Sequence, residues 1–181
     1  RSDILFEKLE NEIPRFVKKC GKLGVRYTSI MPSEVDPGSG QGRSWQDTLS
    51  AGDKMSAEKI LKEINYNWKW LDDDSIKVTT CTLPAIRVLQ NGNSVFFNQL
   101  IAAFKGWNDK RNKAERSISY GDGTEIPKED MKKVCELSDE LAFDLCWKKN
   151  DVLIINNMMA MHGRKPFYGK RSVLASLAIN D

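Results

Sequence analysis

One histidine, His162, occurs in this chain, and an arginine, Arg171, follows it nine positions later. Imidazole is the commonest side-chain nitrogen ligand for a transition metal. A guanidinium presents a planar, permanently charged fork that holds a carboxylate bidentately. Such a pair suits a metal and a carboxylate. Arg164, in His-Gly-Arg, offers a second guanidinium two residues after the histidine. Taken alone, a solitary histidine is more often a satisfied structural residue, and Arg171 an ordinary strand-end arginine on a solvated face. What argues otherwise is the frame around them. The run D-V-L-I-I-N at 151–156 is apolar, rich in β-branched residues and opened by an Asn-Asp turn. It predicts a strand buried on both faces. Residues 172–178 read the same way. A turn with Pro166 and Gly169 lets the two runs lie side by side, which brings His162 and Arg171 to one strand end.

Other chemistries fit poorly. One histidine gives no basis for a Ser-His-Asp or Cys-His arrangement, because spacing alone brings no nucleophile to it. Gly38-Ser39-Gly40-Gln41-Gly42 lacks the strand, the helix and the Lys-Ser/Thr of a phosphate loop. Met158, Met159 and Met161 read as core filling. Cys20, Cys81, Cys135 and Cys146 have neither metal spacing nor the density of a disulfide framework, so four free thiols in a reducing, cytoplasmic setting are expected.

W-x-x-x-D-V-L-x-x-x-N, then H-G-R, a Pro-Phe turn and R-x-V-L-A-S-L, together resemble the C-terminal signature of the taurine dioxygenase-like family, in its clavaminate synthase-like branch. Gly42-Arg43-Ser44-Trp45-Gln46, Leu83-Pro84-Ala85-Ile86, Phe96-Phe97-Asn98 and Gly106-Trp107-Asn108-Asp109-Lys110-Arg111 extend the resemblance through nearly the whole chain. These are non-haem Fe(II), 2-oxoglutarate-dependent oxygenases. The resemblance implies a mainly β fold with flanking helices, a double-stranded β-helix or jelly roll, forming one domain over residues 1–181.

It also implies Fe(II), 2-oxoglutarate and O2, with decarboxylation of 2-oxoglutarate to succinate and CO2 coupled to oxidation of a small metabolite. Hydroxylation is the expected outcome, with halogenation and desaturation open. His162 would be the distal metal histidine and Arg171 the clamp on the distal carboxylate of 2-oxoglutarate. A related pattern has two adjacent arginines where this chain has Arg171-Ser172, so Arg164 stays open as the clamp. Asn98, Arg43 and Trp45 would border the substrate pocket. Their plainer roles are a helix cap for Asn98, a surface ion pair for Arg43 and packing for Trp45. The family's His-x-Asp/Glu segment and the Gly-Gly-x-Thr after it do not occur here and are expected before Arg1. On that expectation the domain is incomplete at its N-terminus, the chain alone is inactive, and exposed strand edges invite association. The alternative is a non-catalytic jelly-roll remnant that binds a partner or a small acid.

The elements that must position these residues read in order. Ile4, Leu5, Leu9 and Ile13 lie on one side of a first helix. Pro14 opens a second, carrying Phe16, Val17, Cys20 and Leu23, which Gly24 can close. Residues 25–31 predict a strand and 32–43 a long, functional loop. Ser56 can cap a short helix with Ile60, Leu61 and Ile64. Residues 67–70 and 76–80 predict strands around Asp72-Asp73-Asp74. Asn91-Gly92 predicts a hairpin between 83–90 and 94–98. A helix is expected from Leu100, irregular chain over 110–124, and an outer helix over 128–142. The sheet should be mainly antiparallel, with 151–156 and 172–178 as neighbouring core strands. A net charge of +3, with lysines dispersed among acids, gives no basic stripe for nucleic acid. No apolar run reaches the ~18–20 residues needed to span a bilayer.

Overall fold

The computed structural model describes residues 1–39, 41–107, 109–163, 165, 168, 169, 174 and 176. Helix α1 (Ser2–Glu12) buries Leu5 and Leu9 on the predicted face. Helix α2 (Pro14–Leu23) begins on proline, whose missing N–H costs nothing in a first turn. It ends at Gly24, where φ is +65° and a Cβ would meet the Leu83 carbonyl oxygen at 2.6 Å. Only glycine fits that junction.

Strand β1 (Val25–Met31) follows, then the 32–43 loop and two short helices, α3 (Trp45–Leu49) and α4 (Lys54–Glu63). The cap of α4 is Asp53, whose side chain accepts from the Ser56 N–H at 2.7 Å. Ser56, expected as the cap, is instead the third helical residue and returns the bond as the other half of a capping box. Strands β2 (Asn67–Trp70) and β3 (Ile76–Thr79) flank the acidic turn. Strands β4 (Arg87–Val88) and β5 (Ser94–Val95) form the Asn-Gly hairpin, shorter than predicted. After α5 (Leu100–Gly106) come a 3-10 turn, strand β6 (Ile118–Tyr120) and α6 (Lys128–Glu140).

The main sheet has the order β2-β3-β1-β6, and every pairing in it is antiparallel. Two hydrophobic cores share one face of it. The larger gathers Leu5, Leu9, Phe16, Val25, Tyr27 and Tyr120 under α1, α2, α5 and α6. The smaller holds Met31, Trp45, Leu61, Ile76 and Val78 under α3 and α4. Strand β1 runs through both, contributing Val25 and Tyr27 to one and Met31 to the other.

The expected strand at 151–156 is not formed. Val152 is 87% exposed and Ile154 92%, and no strand lies beside them among the described residues. A run apolar on both faces becomes a strand only between two layers and next to a hydrogen-bonding neighbour. Among the described residues neither accompanies the run. Its expected partner, 172–178, lies outside the described residues apart from Leu174 and Ser176, as do Pro166, Arg164 and Arg171. Helices occupy more of the described chain than strands, whereas a mainly β chain was expected. No helix is long and apolar enough to cross a membrane among the described residues.

Candidate functional site

Between the two cores the sheet face opens into a cleft of about 340 Å³. Its floor is β1 and β3. Register Ser29↔Val78 and Met31↔Ile76 keeps Tyr27, Ser29 and Met31 on the same face as Val78. Leu61 of α4 and Leu49 of α3 close the apolar side, and Tyr27, Tyr66 and Trp107 supply aromatic walls. Tyr27 and Trp107 meet at 5.9 Å between ring centroids. Burial pushes the Tyr27 hydroxyl up to about 12, against the opposing pull of the Gln99 N–H that donates to it at 2.8 Å, so it stays a neutral phenol. Burial also raises Tyr66.

The rim is Gln41, Gly42 and Arg43, and distant residues hold it. The Asp36 N–H donates to the Gly42 carbonyl at 2.7 Å, and a Cβ on Gly42 would lie 1.8 Å from the Asp36 oxygen. Asp36 is in turn ion-paired to Arg111 at 3.0 Å. Asp109 accepts from the Ser39 hydroxyl and from the Arg111 and Asn112 N–H groups at 2.8 and 2.7 Å. Burial alone would raise the Asp109 carboxyl, but these donors outweigh it and hold the group at about 2. Asn112 then fixes the turn to β1, accepting from the Ile30 N–H at 2.7 Å.

Of the residues expected at a substrate pocket, Arg43 lines this cleft; its Nη2 donates to the Asp47 carbonyl at 3.0 Å. Trp45 lies in the smaller core, its Nε1 donating to the Asp74 carbonyl at 3.2 Å and its ring edge-on to Trp70. Asn98 donates to the Ala85 carbonyl and accepts from the Leu100 N–H, both at 2.9 Å, at the start of α5. His162 is exposed. The segment before it is anchored, since the Ser2 N–H donates to the Met159 carbonyl at 2.7 Å and Met161 packs on the larger core. Among the described residues no three His, Cys, Asp or Glu side chains gather closely enough to hold a metal ion. With one histidine in the chain, a two-histidine iron site does not fit the residues present. Tyr27, Tyr66 and Thr80 were not singled out beforehand. For Tyr27 and Thr80 the only signal was alternation along strands, which marks a face without saying that it opens into a cleft; Tyr66, in the turn before β2, had none.

Residues 47–177 match the family described as taurine catabolism dioxygenase TauD, TfdA family. The chain is 32% identical over 177 residues to a clavaminate synthase-like protein of Arabidopsis thaliana, covering 97% of this chain and 54% of that protein. It is 29% identical over 171 residues to the dapdiamide synthesis protein DdaC of Enterobacter agglomerans, covering 85% of this chain and 48% of that one. The chain thus spans about half the length of the curated relatives it matches.

Proposed function

Because this chain belongs to the taurine catabolism dioxygenase (TauD, TfdA) family, we propose that it serves a non-haem Fe(II)/2-oxoglutarate-dependent oxygenase acting on a small metabolite. The observation that carries this reading is the family match, which runs across His162, Arg164 and Arg171. In it, residues 1–181 form one domain contributing to a double-stranded β-helix. His162 is a metal ligand, and Arg171 holds the distal carboxylate of 2-oxoglutarate, with Arg164 as the alternative. Arg43 borders the substrate, with Trp45 and Asn98 behind it. The iron site is not complete in the residues present, so its other ligands come from another stretch of polypeptide, which also covers the exposed 151–156 run. A cytoplasmic setting accords with four unbonded cysteines.

The test is succinate formation from 2-oxoglutarate by the longest natural form of the protein, supplied with Fe(II) and O2. Arg171→Ala should raise the 2-oxoglutarate requirement about thirty- to a hundredfold, because a charge-assisted bidentate contact is lost. Arg171→Lys should recover only part of that. If Arg164→Ala abolishes the dependence and Arg171→Ala leaves it unchanged, Arg164 is the clamp. Absence of succinate under all conditions would sink the oxygenase reading. A second reading, a non-catalytic module that binds a small acid, is favoured by the solitary histidine. It predicts saturable acid binding with no turnover in that same full-length protein.

A further inference from the structure

Among the described residues that line the cleft, Arg43 is the only charged one. Among the described residues no carboxylate lines the cleft and Arg43 forms no ion pair, its one hydrogen bond going to a main-chain carbonyl. The rest of the described lining is uncharged, apolar at Met31, Leu49, Leu61 and Val78 and aromatic at Tyr27 and Trp107. A volume of about 340 Å³ is at the lower end of small-ligand sites. Apolar and aromatic walls with one cation at the mouth are complementary to a molecule with a flat apolar body and a single negative end.

From this arrangement we infer that the cleft binds a small monocarboxylic acid with an aromatic or similarly flat apolar body, its carboxylate on Arg43 and its body against Trp107, Tyr27 and Val78. Calling that acid the substrate rests on the oxygenase reading; the binding itself does not. A dicarboxylate such as 2-oxoglutarate is a poor match, because its second charge would meet only neutral groups and no second cation among the described lining residues. The rim is built to keep Arg43 in place. Gly42 is pressed against Asp36, and Arg111 and Asp109 in turn hold Asp36 and Ser39.

The experiment titrates the chain, without iron, with 3-phenylpropionate, 3-phenylpropanamide and 2-oxoglutarate. The readout is the Trp107 indole N–H resonance, assigned through Trp107→Phe. The acid should shift it saturably, with the amide about tenfold or more weaker and 2-oxoglutarate without effect. Arg43→Gln should weaken the acid about tenfold and leave the amide unchanged, as expected for one lost charge-assisted bond. Arg43 is exposed, so this variant should fold. Thr48→Trp, at an exposed lining position, should block both ligands without touching either core. Equal binding of acid and amide, an acid affinity unchanged in Arg43→Gln, or no binding up to millimolar acid would each overturn the inference. Acid binding without any succinate formation would leave the cleft standing and remove the oxygenase. Succinate formation with no acid binding would do the reverse.

Discussion

Asp109 is the residue on which the rim of the cleft depends. Its carboxylate is charged in the fold with hydrogen-bond donors on both oxygens, and its side chain is 7% exposed. The folded group sits at about 2, below its ordinary 3.8, so the folded state holds the proton less tightly than the unfolded chain. The stability this contributes is fully present above pH 3.8 and is lost as pH falls through about 2. The shift corresponds to something on the order of 2 kcal/mol. Asp109→Asn should therefore lower stability by about 1–2 kcal/mol at neutral pH, and the difference from the parent should shrink between pH 4 and pH 2. Urea unfolding across that range checks it; a constant difference at every pH would mean the charge is not what Asp109 contributes. Asp109 was legible in the sequence only as part of a motif. Its partner Ser39 lies in a loop seventy residues away, and a spacing of that kind carries no local signal.

At the scale of elements, what could be read was what local chemistry decides. Pro14 opening α2, Gly24 closing it, the acidic turn between β2 and β3, and the apolar stripe of α6 all rest on neighbours within a few positions. Strand β6 and helix α3 were missed because three residues and five give too little periodicity to read. The run 151–156 failed for the opposite reason. Its pattern is strong, but a strand also needs a neighbour, and composition does not encode one. No hydrogen bond engages the main-chain N–H groups of Val152, Leu153 and Ile154 among the described residues. Those of Ser29 and Ile30 in β1 lie in the sheet, the latter donating to Asn112. Hydrogen exchange at 152–154 should then be several orders of magnitude faster than in β1, approaching the rate of unstructured chain. Equal protection would mean that the run is paired in solution.

The whole molecule sets the limit on chemistry. A facial triad of two histidines and a carboxylate requires two imidazoles on one side of a metal, and the chain carries one. Oxygen donors cannot make up the difference easily. Asp109 is already committed to Ser39, Arg111 and Asn112, and the Asp151 carboxylate accepts from the Lys148 N–H at 2.7 Å. Asp47 is exposed and free of such ties among the described residues, yet one carboxylate and one imidazole leave Fe(II) weakly held. The 181 residues by themselves should accordingly form no more succinate than a His162→Ala variant. The measurement loads the chain with Fe(II) anaerobically, then admits 2-oxoglutarate and O2 and follows succinate over time. Turnover clearly above that of His162→Ala, and independent of protein concentration per chain, would mean that one copy completes its own metal site. Turnover that rises steeply with concentration would mean that two copies each lend an imidazole. The first result would overturn the proposal that the missing ligands lie outside one copy of these residues; the second would place them on a partner copy.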